Sequence, residues 1–220
     1  MNAKTSSKRQ HSLTLVLIGD THELHQELQL PRGDILIHVG DATMFSRSLR
    51  AIVDFNDWLG ELPHPHRIFV PGNHDSFLQA NPANRSLLTN ARLLINEGIE
   101  IEGLRIWGTP ITASGPGFCL KSAERRRRMF AQIPQDTDVL ISHAPPFGIL
   151  DAAPGSTVHG GDRELLDAVA RVRPRLDCFG HIHGADSVFT TEQTVFVNAA
   201  LLGAHGSLSK KPIVLRISRD

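Results

Sequence analysis

The chain has 220 residues, 40% of them hydrophobic, and its 23 Lys and Arg balance 23 Asp and Glu. That length and apolar content support one well-buried domain, and the charge balance excludes a broad field for gathering a long polyanion such as nucleic acid. The longest apolar stretches fall far short of the roughly 20 residues that span a bilayer, so no membrane association is expected.

Residues 1–11, with Lys4, Lys8 and Arg9 among small polar residues, predict a disordered tail too polar for the apolar part of a signal peptide, leaving 12–220 as the domain. Short apolar runs then follow at Leu13 to Ile18, Ile35 to Val39, Arg67 to Val70, Asp138 to Ile141 and Asp177 to Phe179, each closed by Gly, Pro or a polar residue, and these predict buried strands. Apolar residues at helical spacing predict helices over Ser46 to Leu62, with Ser46 as a cap and Pro63 beyond the end, and over Lys121 to Ile133 and Asp162 to Arg173. Further strands are expected near Arg92 to Ile95, Ile99 to Ile101, Leu104 to Trp107, Val188 to Phe189, Val195 to Val197 and Ile213 to Ile217. Mixed sheets covered by helices follow from this alternation.

The five buried runs each deliver a polar segment at the carboxyl end: Asp20-Thr21-His22, Gly40-Asp41, Gly72-Asn73-His74-Asp75, Ser142-His143 and Gly180-His181-Ile182-His183. Open α/β sheets place their sites at strand carboxyl ends. Side chains at i and i+2 of a strand share a face, so Asp20 with His22 and His181 with His183 are expected to present paired donors. Asp, Asn and His form a hard-to-borderline set suited to Mn, Fe, Zn or Co, and no Cys stands among them. A carboxylate such as Asp41 can bridge two cations roughly 3.5–4 Å apart. Taken alone, Asn73 also reads as a turn residue beside Gly72.

These five segments, in this order, resemble the full signature of the calcineurin-like metallophosphoesterase superfamily over nearly the whole chain. Gly33 to His38, Trp107-Gly108-Thr109-Pro110, Asp136 to Pro146 and Gly148-Ile149-Leu150-Asp151 are similar to its MPPED-type branch, near class III cyclic nucleotide phosphodiesterases. The resemblance implies a four-layer αββα sandwich in a single domain. It implies two metal ions, Mn, Fe or Zn with Mn favoured in vitro, one held by Asp20, His22, Asp41 and His183 and the other by Asp41, Asn73, His143 and His181. His74 matches the residue that contacts the scissile phosphate and protonates the leaving oxygen, and Asp75 matches its orienting partner. The implied reaction is attack by a metal-bridging hydroxide on a small or cyclic-nucleotide phosphodiester. Alternatives are a phosphomonoesterase, a nuclease or a noncatalytic scaffold. Gly40-Asp41 leads into Ala42-Thr43 and the third motif ends in Asp75, which disfavours a protein phosphatase, and both histidines of the last motif are present.

Outside the signature, His159 in a glycine-rich loop reads either as a substrate contact or as part of a capping loop led by Asp162. Arg125 to Arg128 spans all faces of an apparent helix, so at least one Arg is expected against the protein body. His38 is expected to be packed, His64 and His66 to lie in a loop, and His11 and His25 to be exposed. His205 is unassigned. Cys119 and Cys178 fit neither a metal motif nor a disulfide framework and suit a reducing cytoplasm. No Tyr is present, which leaves His and activated water as actors. Self-association into a homodimer is left open.

Overall fold

The computed structural model describes residues 12–45, 48–185, 187–203 and 206–219. The expectations for 1–11, the Ser46 cap and His205 fall outside these residues.

One five-stranded sheet runs in the order β11 (Ile213–Ser218), β1 (Ser12–Ile18), β2 (Ile35–His38), β3 (His66–Phe69), β4 (Arg92–Leu93). Only β11 is antiparallel to its neighbour, pairing Leu15 with Leu215. A six-stranded sheet runs in the order β5 (Glu97–Ile101), β6 (Leu104–Thr109), β7 (Val139–Ser142), β8 (Leu176–Phe179), β10 (Val195–Asn198), β9 (Val188–Thr190). Its four central strands are parallel and both edge strands antiparallel.

Strand alternation sends side chains to opposite faces, and the packing follows from it. Leu13, Leu15, Leu17, Ile35 and Ile37 of the first sheet meet Ile106, Val139, Ile141, Cys178 and Val197 of the second in a core between the sheets. The other face of the first sheet, with Val16, Ile18, Leu36 and Phe69, takes Ile52, Phe55, Trp58 and Leu59 of helix α1 (Leu49–Glu61). A four-residue helix, α2 (Phe77–Ala80), buries Leu78 in the same cluster. The outer face of the second sheet, with Leu140, Phe179 and Phe196, takes Phe130 of α3 (Ala123–Phe130) and Leu165, Val169 and Val172 of α4 (Arg163–Val172). The result is the αββα sandwich in one domain.

The first long helix begins at Leu49 because Ser48 accepts the Arg50 N–H through its Oγ at 3.1 Å, so Ser48 supplies the cap that Ser46 was expected to give. Asp162 caps α4 as expected, accepting the Glu164 N–H at 2.8 Å. In α3 the Arg set against the protein body is Arg126, which meets Asp162 at 2.5 Å and donates to Leu120 O at 2.7 Å.

Two histidines, His25 and His66, depart from expectation. His25 is fully buried, ringed by Phe55 and Trp58, because the 3-10 turn His25–Glu27 folds under α1. His64 lies in the expected loop, buried against Pro31 O at 2.9 Å, whereas His66 opens β3.

Candidate metal centre

All five polar segments leave the sheets on one side. A bridge from Gly19 to Ala200, with Leu201 N–H donating to Gly19 O at 3.0 Å, joins the carboxyl ends of the two sheets there. The strands stop short of the ligands, and the paired donors arise from turns rather than from the expected pleat. Asp20 (φ 51°), His22 (42°), Asp41 (54°) and His181 (68°) all adopt left-handed backbone, as does Gly40 (110°). Non-glycine residues adopt this conformation at a cost, and such residues cluster at functional sites.

Backbone bonds lace the first two turns together: Asp20 N–H to Gly40 O at 2.8 Å, His22 N–H to Asp41 O at 3.0 Å and Glu23 N–H to Ala42 O at 2.8 Å. Glycines make room for the ligands. A Cβ on Gly72 would lie 2.1 Å from Asp41 Oδ1, one on Gly180 2.0 Å from Asp20 Oδ2, and one on Gly40 2.5 Å from His143 Nδ1.

The side chains converge. Donor atoms of Asp20, His22 and His183 lie within 4.8 Å of one another, as do those of Asp41, His143 and His181, and those of His22, Asp41 and His74. Asp41 stands between the two outer groups, with Oδ2 3.7 Å from His22 Nε2 and Oδ1 3.4 Å from His143 Nε2. Asn73 Oδ1 faces His143 Nε2 at 3.0 Å, and Asp20 Oδ1 faces His183 Nε2 at 3.3 Å. Every residue expected to ligate is therefore brought to one place.

The donor set fits a pair of cations. His143 donates from Nδ1 to Val39 O at 2.9 Å and His22 from Nδ1 to Thr43 O at 3.2 Å, which aims Nε2 of each ring inward, the usual support for a metal-ligating imidazole. Asp20 and Asp41 are buried carboxylates with no Lys or Arg paired to them among the described residues. Burial would lower the His143 pKa, yet Asp41 and then Asp20 raise it to about 9. Burial likewise works against ionised Asp41, and His143, His74 and His22 hold its carboxyl well below the usual range. Two buried carboxylates thus draw in positive charge, which bound cations would supply. His181, lowered to about 4 by burial and by His143, stays neutral as a nitrogen ligand must.

His74 borders this cradle. Its backbone N–H donates to Asp41 Oδ1 at 2.8 Å, its Nε2 lies 3.9 Å from Asp41 Oδ2, and its ring meets His22 edge-on. Burial lowers its pKa against the pull of Asp41. Asp75 turns toward the second segment, accepting the N–H groups of Gly72 at 2.8 Å and Thr43 at 2.9 Å and the Thr43 hydroxyl at 2.9 Å. Burial, then Asp41, raises its pKa to about 6 against those bonds. His159 stands in the loop after β7, its Nδ1 2.7 Å from the buried Asp151 Oδ1 and its ring against Phe147. That loop leans on the last motif, because Asn198 Nδ2 donates to both Leu150 O and Ile182 O.

Sequence reasoning missed Thr21, Thr43 and the polar role of His38. The available signal was a histidine inside the otherwise apolar run Ile35 to Val39.

The family profile described as calcineurin-like phosphoesterase matches residues 13–185. Human metallophosphoesterase domain-containing protein 1 is 34% identical over 227 aligned positions, covering 91% of this chain and 69% of that protein. The UPF0046 protein C25E10.12 of Caenorhabditis elegans is 34% identical, covering 94% of this chain and 82% of that one. The solved structure of TT1561 from Thermus thermophilus is similar in fold, with a TM-score of 0.59 at 15% identity over 86% of this chain and 89% of that one.

Proposed function

The chain belongs to the calcineurin-like phosphoesterase family and is a metal-dependent phosphoesterase, and on that premise we propose that its substrates are small phosphodiesters, cyclic nucleotides among them. The observation that carries this reading is Asp41, one carboxylate set between two nitrogen-rich donor groups with His74 beside it.

Asp20, His22, Asp41 and His183 would hold one cation and Asp41, Asn73, His143 and His181 the other, and such a pair, with Mn, Fe and Zn all suited to the donors, would supply charge neutralisation and an ionised water as nucleophile. The residues do the rest. His74 is held by its own backbone bond to Asp41 and turns its ring to the leaving oxygen, to which its imidazolium form, favoured by the nearby Asp41 charge, gives the Nε2 proton and is left neutral. Asp75 orients His74 through the turn, tying Gly72 to Thr43 so that the His74 segment cannot drift from Asp41. On this reading His159, backed by Asp151, is the residue that contacts substrate beside the last motif. No helix among the described residues is long and apolar enough to cross a membrane, and two free cysteines suit a reducing cytoplasm.

Initial rates of Mn-reconstituted protein on bis(p-nitrophenyl) phosphate and p-nitrophenyl phosphate test this. Metal-dependent turnover that prefers the diester and falls roughly 10²–10⁴-fold in His74→Ala is expected. Preference for the monoester would make the chain a phosphomonoesterase, and no metal-dependent turnover on either would leave a scaffold.

A further inference from the structure

His38 is buried in β2, three residues before Asp41, and its ring sits between Phe55 at 5.1 Å and Phe69 at 5.4 Å. An imidazole in such a cage must satisfy both nitrogens. It does so on two different ligand turns. The Gly40 N–H donates to His38 Nδ1 at 3.2 Å, which leaves the ring proton on Nε2, and Nε2 donates to Thr21 Oγ1 at 3.0 Å. Burial lowers the His38 pKa to about 3, so the neutral ring persists across the working pH range. Thr21 is itself fully buried between Asp20 and His22, and Gly40 precedes Asp41.

We propose that His38 is a positioning residue for the metal centre, a clamp that fixes the Asp20–His22 turn against the Gly40–Asp41 turn and so sets the spacing of the two donor groups. The inference rests on the cradle holding cations. Its physical basis is the backbone of those turns: Asp20, His22 and Asp41 all sit at positive φ. Left-handed non-glycine residues persist only where their surroundings hold them. Here a strand-borne side chain, locked by aromatic packing, reaches over the end of its own strand and across to that of the neighbouring β1. Asp41 faces both donor groups, so a slip of its turn relative to Asp20 and His22 disturbs both at once.

Isothermal titration of metal-free protein with MnCl2 tests the clamp, with far-UV circular dichroism and thermal unfolding of the metal-free forms alongside. His38→Phe keeps a ring in the aromatic cage and removes both hydrogen bonds, whereas Thr21→Val removes one with little change of volume. Each is expected to weaken Mn affinity at least tenfold with native circular dichroism retained, and the double variant to bind no more than about threefold more weakly than the weaker single. Mn affinity within twofold of wild type in both singles overturns the proposal, as does loss of affinity in His38→Phe only together with its native spectrum while Thr21→Val binds normally. A wild-type protein that binds no Mn would overturn the metal reading and this inference together.

Discussion

The backbone N–H of His181 points at the carboxylate of Asp20, 2.9 Å from Oδ1 and 3.0 Å from Oδ2, across 161 residues of sequence. The first and last segments of the site, one from each sheet, are joined by this bond. Asp20 therefore has a structural duty beside its place among the donors. Asp20→Ala is expected to abolish metal binding in its group and also to destabilise the metal-free protein by about 1–3 kcal/mol, the usual cost of a buried donor left without its partner. Urea unfolding without metal and Mn stoichiometry measure the two effects separately. An unchanged unfolding midpoint would show that the His181 N–H finds another acceptor.

Gly180 lets that bond exist. A Cβ there would lie 2.0 Å from Asp20 Oδ2, inside any real contact, and Asp20 is enclosed on all sides. Gly180→Ala is expected to push the carboxylate from its position, cost about 1–3 kcal/mol as overpacking does, and remove Mn binding by the Asp20, His22 and His183 group. Full Mn stoichiometry with a wild-type unfolding midpoint would contradict this.

Most of the fold was legible because its strands are short apolar runs whose two-residue alternation has only two faces to fill. The core between the sheets takes Leu13, Leu15 and Leu17, and the helix-covered face takes Val16 and Ile18. The donors were legible because five such segments stand in one order at strand ends, whereas a lone Asp-x-His there is more often a cap or turn. What the sequence hid was conformation and distant packing. Asp20 and His22 pair through left-handed turns, which no spacing rule encodes. His25 looked exposed because its burial depends on Phe55 and Trp58, 30 or more positions away. His38 looked merely packed because its two partners, Thr21 and Gly40, meet only once β1 and β2 are side by side.

His159 offers a separable test of substrate contact. Asp151 fixes its Nδ1 at 2.7 Å and uses its other oxygen to accept the N–H groups of Gly148 at 2.9 Å and Gly161 at 3.0 Å, so the imidazole stands on a rigid mount. His159→Ala is expected to raise KM for a small diester roughly 10-fold with kcat and Mn stoichiometry little changed, the signature of lost uniform binding. An equal fall in kcat would instead place it in the chemical step, and unchanged kinetics would leave it to the loop alone.

Asp177 carries a pH signature that is independent of the metal centre. Its neighbours Leu176 and Cys178 enter the core between the sheets, so the pleat turns Asp177 toward the outer face under the helices, where it is fully buried. The nearby Ser142 hydroxyl is committed to Ala144 O at 2.9 Å. Burial raises the Asp177 carboxyl well above its ordinary range, with Ser142 pulling the other way. The native state therefore keeps a proton that the unfolded chain releases, so this group's contribution is fully present below the unfolded carboxylate pKa of about 3.9 and is lost as pH rises through the native value, at about 1.4 kcal/mol per pH unit. Asp177→Asn cannot titrate. Its stability relative to wild type is expected to be near zero or slightly negative at pH 4 and to rise steadily from pH 4 upward until it levels off. Urea unfolding of both proteins across that range gives the difference directly, and parallel curves would mean that Asp177 keeps an ordinary pKa in the folded protein.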